Sequence, residues 1–263
     1  MNKLACIDYG HGGYDSGALG INGTQEKNIN MSVGFKVANY LKSAGIDVCF
    51  TRDSDKVPWL SNLSQDLAKR MQIANNYNPD IFVSIHCNSF SANSKGFEIF
   101  TTPGQNNSDI LATKIHSRVK YIFPDLIYRE DISDGDVDKE ANFYVIKYAK
   151  CPATLIEMLF ISNPEEEKML NNPEFQDKMA FAIAQGIGDY FGIKIEKLNN
   201  KEELIDMAIE KWMEDSGIKS LDNLANKGLI NNAEDWKKKL EEPVQAWLLF
   251  TMLDRITNTT NNK

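Results

Sequence analysis

The feature that most constrains the fold is the alternation of short apolar runs with stretches of helical periodicity. The apolar runs lie near residues 4–8, 46–50, 81–85, 96–100, 143–146 and 153–157. The segments with helical spacing cover residues 29–41, 64–77, 108–122 and 173–191. Strand-like runs that alternate with helices are typical of an α/β fold with a mainly parallel, twisted sheet flanked by helices. A chain of 263 residues, 42% of them hydrophobic, is long enough to bury such a core.

Polar residues that can bind a metal ion stand where these elements begin or end. His11 and His86 follow apolar runs, Glu157 closes another, and Glu26 precedes the first helical segment. The carboxyl ends of parallel strands meet at one edge of a sheet, so we expect the strand-end residues to lie there together. Two imidazoles and one carboxylate suit a catalytic zinc ion with an open fourth position, and a further polar residue can then carry protons. Taken singly, such a histidine is more often structural, and Glu26 is a favourable charge in a first helical turn.

Charge and composition exclude several classes of partner. The net charge is −8, and the basic residues form no dense cluster interleaved with aromatics, so nucleic acid is not an expected partner. No stretch approaches the ~18 apolar residues of a membrane span, and no leader-like segment opens the chain. We therefore predict synthesis in the cytoplasm without a signal peptide and without membrane insertion. The four scattered cysteines are predicted to be reduced packing residues.

An acidic segment over residues 127–141 shows no clear period and is predicted to be a mobile loop beside the site. Its Asp134, Asp136 and Asp138 alternate as in calcium-binding loops. The glycine and the closing glutamate of such loops are misplaced here, so the pattern does not predict calcium.

Six separated segments resemble the zinc-dependent N-acetylmuramoyl-L-alanine amidases over roughly residues 1–192. They are DYGHGGYDSGA at 8–18, the helix-opening Glu26, Thr51-Arg52, Arg70 with Ala74-Asn75, SIHCN at 84–88, and ATLIE at 153–157 with ISNP at 161–164. The resemblance implies that His11, Glu26 and His86 hold Zn²⁺ and that Glu157 is the catalytic residue.

The same resemblance implies cleavage of peptidoglycan at the amide between N-acetylmuramic acid and L-alanine, and thus lysis of bacterial walls. Tyr9 replaces a proline usual in the family, and the acidic run after Arg129 is longer than usual. Asn88, Arg129 and Asn142 are predicted to contact the substrate. The alternatives are a zinc peptidase acting within the stem peptide and a non-catalytic wall-binding protein. The missing export signal suits a phage endolysin or an enzyme of mother-cell lysis.

The chain changes character after residue 192. A linker is predicted over residues 193–200 and a small helical domain over 201–257, which holds three of the four tryptophans. This domain resembles a degenerate form of the helical wall-anchoring repeats of bacterial surface proteins. A helical pair that packs on the first domain, or that joins two chains into a homo-oligomer, is an equal alternative. The third histidine, His116, is predicted to be a partly exposed helix residue outside the site.

Overall fold

The computed structural model describes residues 2–57 and 62–198, and beyond them only residues 221, 225–228 and 234. Contacts within the chain divide it into two units, Met1–Asn200 and Lys201–Lys263. The predicted helical domain and its tryptophans lie almost entirely outside the described residues, so that prediction and its possible roles stay open.

Six strands of the described residues form one sheet in the order β2-β1-β3-β6-β4-β5. Their bounds are β1 Leu4–Tyr9, β2 Asp47–Phe50, β3 Ile81–Asn88, β4 Glu98–Thr101, β5 Lys139–Glu140 and β6 Ala153–Phe160. Neighbouring strands are parallel except for β4, which runs antiparallel to β6. The predicted α/β fold with a mainly parallel sheet is confirmed for this part of the chain.

Helices cover both faces of this sheet. Their bounds are α1 Glu26–Ser43, α2 Leu63–Tyr77, α3 Asn107–Ile122, α4 Tyr144–Lys147, α5 Pro164–Leu170 and α6 Pro173–Phe191. Helices α1, α3 and α6 pack together as one layer, while α2 and α4 pack against each other and the sheet. The core beneath α2 and α4 contains Cys6, Cys49, Phe82 and Leu155. In the described residues, no helix has the length and apolar character needed to cross a membrane.

Two elements differ from the sequence prediction. The strand predicted at residues 143–146 is wrong, because Tyr144–Lys147 forms the short helix α4, with Val145 and Ile146 both buried. A four-residue apolar run has no decisive period, so packing against α2 decides its conformation. The predicted loop over residues 127–141 contains the short strand β5, which pairs with β4.

Helix α5 was not predicted, although its start signal is present in the sequence. The Asn163 side chain accepts hydrogen bonds from the backbone N–H groups of Glu165 and Glu166, and Pro164 occupies the first helical turn. An asparagine cap followed by proline is a favourable helix start. The helix matters to the site because buried Glu167 accepts hydrogen bonds from Asn22 and Thr24, in the loop that leads into Glu26.

Candidate metal centre

The fold brings His11, Glu26 and His86 into one cluster. His11 follows β1, Glu26 is the first residue of α1, and His86 lies near the end of β3. The Nε2 atom of His11 is 3.1 Å from Oε2 of Glu26, and Nδ1 of His86 is 3.0 Å from Oε1. One ligand atom from each of the three residues lies within 4.8 Å of the others. Tetrahedral zinc with bonds near 2.1 Å separates its ligand atoms by roughly 3.4 Å, so this donor set fits such an ion.

Glu26 is the buried centre of the cluster. Its carboxylate also accepts hydrogen bonds from the backbone N–H groups of Ala18 and Cys87. Burial alone would raise the pKa of Glu26, but hydrogen bonds and attraction from the two imidazoles hold that pKa far below its usual range. Burial opposes protonation of His11, yet Glu26 and Asp15 outweigh it and raise the pKa of His11 to about 9. A metal ion that binds here therefore displaces a proton.

Asp15 fixes the orientation of the His11 ring. Its Oδ2 atom lies 2.7 Å from Nδ1 of His11, which leaves Nε2 facing Glu26. A carboxylate in this position is the usual partner of a zinc-ligating histidine, because it fixes the tautomer and the ring orientation. Sequence reasoning did not single out Asp15, although it stands in the same glycine-rich turn. The backbone of His11 is left-handed, with φ 63°, which is rare for a residue other than glycine.

Gly10 and Gly17 make room for the metal-binding side chains. A Cβ atom at Gly10 would lie 2.1 Å from Cε1 of His86, and one at Gly17 would lie 2.6 Å from Oε2 of Glu26. No larger residue fits at either position without displacing a ligand side chain.

The substitution Gly10→Ala is expected to lower activity at least about 100-fold, because displacing a ligand by about 1 Å costs that much. Gly34→Ala is a matched control, since its Cβ would meet the Tyr9 ring at 2.1 Å without touching a metal ligand. Both variants are compared for bound metal and for thermal unfolding. Equal metal content and activity per folded molecule in the two variants would contradict this account of Gly10.

Two buried arginines support the turn that carries His11. Arg70 donates to the carbonyl oxygens of Tyr9 and His11, at 2.9 and 2.5 Å, and forms an ion pair with Asp8. Arg52 donates to the carbonyl oxygen of Tyr9 at 2.9 Å. Both residues belong to the segments that suggested the family, and here they stabilise the backbone of the site.

Glu157 lies on the sheet beside the cluster. It pairs in register with His86 on β3 and with Glu98 on β4, so the three residues form one row across neighbouring strands. The sequence placed His86 and Glu157 at strand ends, whereas both lie within their strands. Burial, together with the charges of Glu26 and Glu98, raises the pKa of Glu157 well above its usual value.

Glu98 is a site residue that sequence reasoning missed. It is buried, and its carboxylate accepts hydrogen bonds from Asn88, Arg129 and Lys139. The available signal was a charged residue inside an otherwise apolar strand. Two of the three residues predicted to contact substrate, Asn88 and Arg129, thus meet at Glu98. The third, Asn142, is exposed just after β5. Their contact with substrate stays a prediction.

His116 lies outside the cluster but is not partly exposed as predicted. Only 4% of its surface is accessible, and its ring contacts those of Phe97 and Tyr128, which also contact each other. Burial lowers its pKa, although Glu130 lies 3.1 Å from Nε2. The helix pattern alone placed His116 at the edge of the apolar stripe. Residues distant in sequence pack over its side chain and bury it.

A family model described as N-acetylmuramoyl-L-alanine amidase matches residues 5–189 of this chain. The chain belongs to the N-acetylmuramoyl-L-alanine amidase family. The germination-specific amidase of Bacillus subtilis is 30% identical over 72% of this chain and 80% of the relative. The endolysin of Bacillus phage SPP1 is 34% identical over 74% of this chain and 68% of the endolysin. Among solved structures, the CwlD amidase from Clostridioides difficile, in complex with the GerS lipoprotein, matches with a TM-score of 0.67 at 31% identity, over 73% of this chain and 99% of that one.

The protein is therefore an amidase that hydrolyses peptidoglycan between N-acetylmuramic acid and L-alanine, as the sequence resemblance implied. The two alternatives, a peptidase of the stem peptide and a non-catalytic wall-binding protein, are not supported. The triad of this amidase is of the metal-binding type typical of the zinc-dependent members of the family.

Proposed function

We propose that the amidase holds a zinc ion with His11, Glu26 and His86 and uses Glu157 to move protons during cleavage. The role of Glu157 rests on one combined observation. Glu157 lies in the same cross-strand row as His86, and its Oε2 atom is buried without a hydrogen-bond partner among the described residues. A buried and unsatisfied carboxyl oxygen is costly, so its retention beside a metal-binding triad is typical of a catalytic role.

The donor set supports zinc in particular. Neutral imidazole nitrogens and one carboxylate are common zinc ligands, and three protein ligands leave a position open. When bound, zinc lowers the pKa of a coordinated water and polarises a carbonyl oxygen. The side chain of Asp15 keeps His11 in the orientation that such an ion requires.

Glu157 would accept a proton from the attacking water and deliver it to the nitrogen of the departing L-alanine. A group with this role works best when its pKa lies near the operating pH. Burial raises the pKa of Glu157, as do the charges of Glu26 and Glu98. A divalent ion on the triad would offset the contribution of Glu26, while the contribution of burial would remain.

Asn88 and Arg129 would orient the muramoyl-peptide beside Glu157. Their common partner, Glu98, is the cross-strand neighbour of Glu157 and keeps both groups at this edge of the sheet. The Arg129 side chain stays 44% exposed, so its remaining N–H donors are available to a carbonyl or carboxylate of the substrate.

Removing the metal is expected to abolish wall solubilisation, and adding zinc back should restore it. Glu26→Gln should lower the zinc content at least about tenfold, because the central carboxylate charge is lost. Metal content is measured by atomic spectroscopy and activity by the turbidity of purified walls. Glu165→Gln is the matched control, since that side chain is 75% exposed.

Product analysis tests the reaction itself. Mass spectrometry of the digest should find free lactyl groups on the glycan and new amino-terminal L-alanine on the peptides. Cleavage elsewhere in the stem peptide, or full activity of Glu26→Gln without bound metal, would contradict the proposed function.

A further inference from the structure

Strand β4 begins at Glu98 and ends at Thr101. A second group of carboxylates lies near the Thr101 end. It consists of Asp109 in the first turn of α3 together with Asp136 and Asp138 in the acidic segment before β5. One oxygen atom from each of the three side chains lies within 4.8 Å of the others. None of these residues takes part in the proposed cleavage.

In the described part of the chain, two of the six carboxylate oxygens in this group have no hydrogen-bond donor, while the other four accept hydrogen bonds from the Thr101 hydroxyl, the Gln105 side chain and the backbone N–H of Asn106. Asp138 is only 2% exposed, and its Oδ1 atom is buried without a partner among the described residues, as is Oδ1 of Asp136. The hydroxyl of Thr101 lies 2.6 Å from Oδ2 of Asp138 and 3.0 Å from Oδ1 of Asp109. A hydroxyl has one proton, so it satisfies only one of these two acceptors at a time.

The charge of the group is also uncompensated. Among the described residues, no lysine or arginine forms an ion pair with any of the three carboxylates. Burial, with the nearby charges of Asp136 and Asp109, raises the pKa of Asp138 to about 7. Buried carboxylates that face one another need either a shared proton or a cation.

We propose that Asp109, Asp136 and Asp138 bind a hard divalent cation, for which Ca²⁺ is the best candidate. The available donors are oxygen atoms alone, which suit Ca²⁺ or Mg²⁺ rather than the zinc of an imidazole-containing site. The Oδ1 atoms of Asp136 and Asp138 supply free, buried lone pairs.

The spacing of aspartates in the sequence suggested a different set. A calcium loop would use Asp134, Asp136 and Asp138, but Asp134 is exposed and accepts a hydrogen bond from Gln105. The fold replaces it with Asp109, which is distant in sequence.

A cation here would fasten the acidic segment to the start of α3. This segment continues directly into β5, where the Lys139 ammonium lies 2.7 Å from the buried carboxylate of Glu98. Glu98 is the cross-strand partner of Glu157, so the cation would stabilise the wall of the site next to Glu157. Its effect is structural and does not require the zinc chemistry proposed above.

The test uses the full-length, zinc-loaded protein, dialysed into buffer freed of divalent ions with a chelating resin. CaCl₂ and MgCl₂ are titrated separately by calorimetry at about pH 7.5, and thermal unfolding is followed in parallel. We expect one Ca²⁺ per chain in addition to zinc, and a rise in Tm of about 5 °C at saturation. Asp136→Asn should lose both the Ca²⁺ binding and the rise in Tm. The control Asp131→Asn removes a charge from the same segment and should keep the binding and the rise in Tm.

A second measurement guards against a folding defect in the variant. In cation-free buffer Asp136→Asn should unfold at the same Tm as the wild type or above it, because the substitution removes like-charge repulsion. The proposal is overturned if neither cation binds below about 10 mM, or if Ca²⁺ stabilises Asp136→Asn as much as the wild type. Stability of the cation-free wild type that rises as the pH falls below about 7, with no response to cations, would instead identify a shared proton.

Discussion

Replacing Glu157 with glutamine is expected to lower turnover about 1,000-fold, within the range for loss of a general acid–base group. Glutamine preserves the shape of the side chain but cannot accept the proton of the attacking water. The variant should retain its zinc, because Glu157 is not among the residues of the triad. Turnover is measured on a soluble muramoyl-peptide, and zinc is quantified on the same protein sample.

A pH profile separates a catalytic role for Glu157 from a structural one. A base must be ionised, so the rate should fall as the pH drops through the pKa of Glu157. Because the charge of Glu98 helps to raise that pKa, Glu98→Gln should move the acid limb to lower pH. Near wild-type turnover in Glu157→Gln, or an acid limb unaffected by Glu98→Gln, would show that another group carries the proton.

Arg70→Met is expected to lower the free energy of unfolding by about 3–5 kcal/mol, the cost of leaving a buried charge without its partner. Arg70 bonds Asp66 through Nε at 2.7 Å and Asp8 through Nη1 at 3.0 Å, and all three side chains are almost fully buried. The ion pair and the hydrogen bonds from Ser84 and Thr51 hold the pKa of Asp8 below its usual value despite burial. The substitution removes the buried arginine charge that both carboxylates contact.

The unfolding free energy is measured by denaturant titration of the zinc-loaded protein, with Arg118→Met as the control. Arg118 pairs with Asp189 at the surface, where each side chain is about one-third exposed. Loss of such a pair typically costs at most about 1 kcal/mol. Similar losses in the two variants would mean that the buried network around Arg70 contributes no more to stability than a surface ion pair.

The local sequence determined the candidates for the metal centre. A glycine-rich turn after a strand exposes His11, and a helix start places Glu26, since both depend on neighbouring residues only. The same local signals predicted helices α2, α3 and α6 within one residue of their observed bounds. Local signals do not predict that position 10 requires glycine. A Cβ atom at Gly10 would clash with His86, which lies on another strand.

Only the tertiary structure decided which distant residues share a site. Strand register aligns Glu98 with Glu157, and helix α3 brings Asp109 to Asp138, across intervals that carry no periodic signal. The run at residues 143–146 became helical for the same reason, since packing overrides a weak local preference. Sequence therefore determined what chemistry each segment can offer. Strand pairing and helix packing, which depend on contacts across the whole domain, determined which of those groups meet.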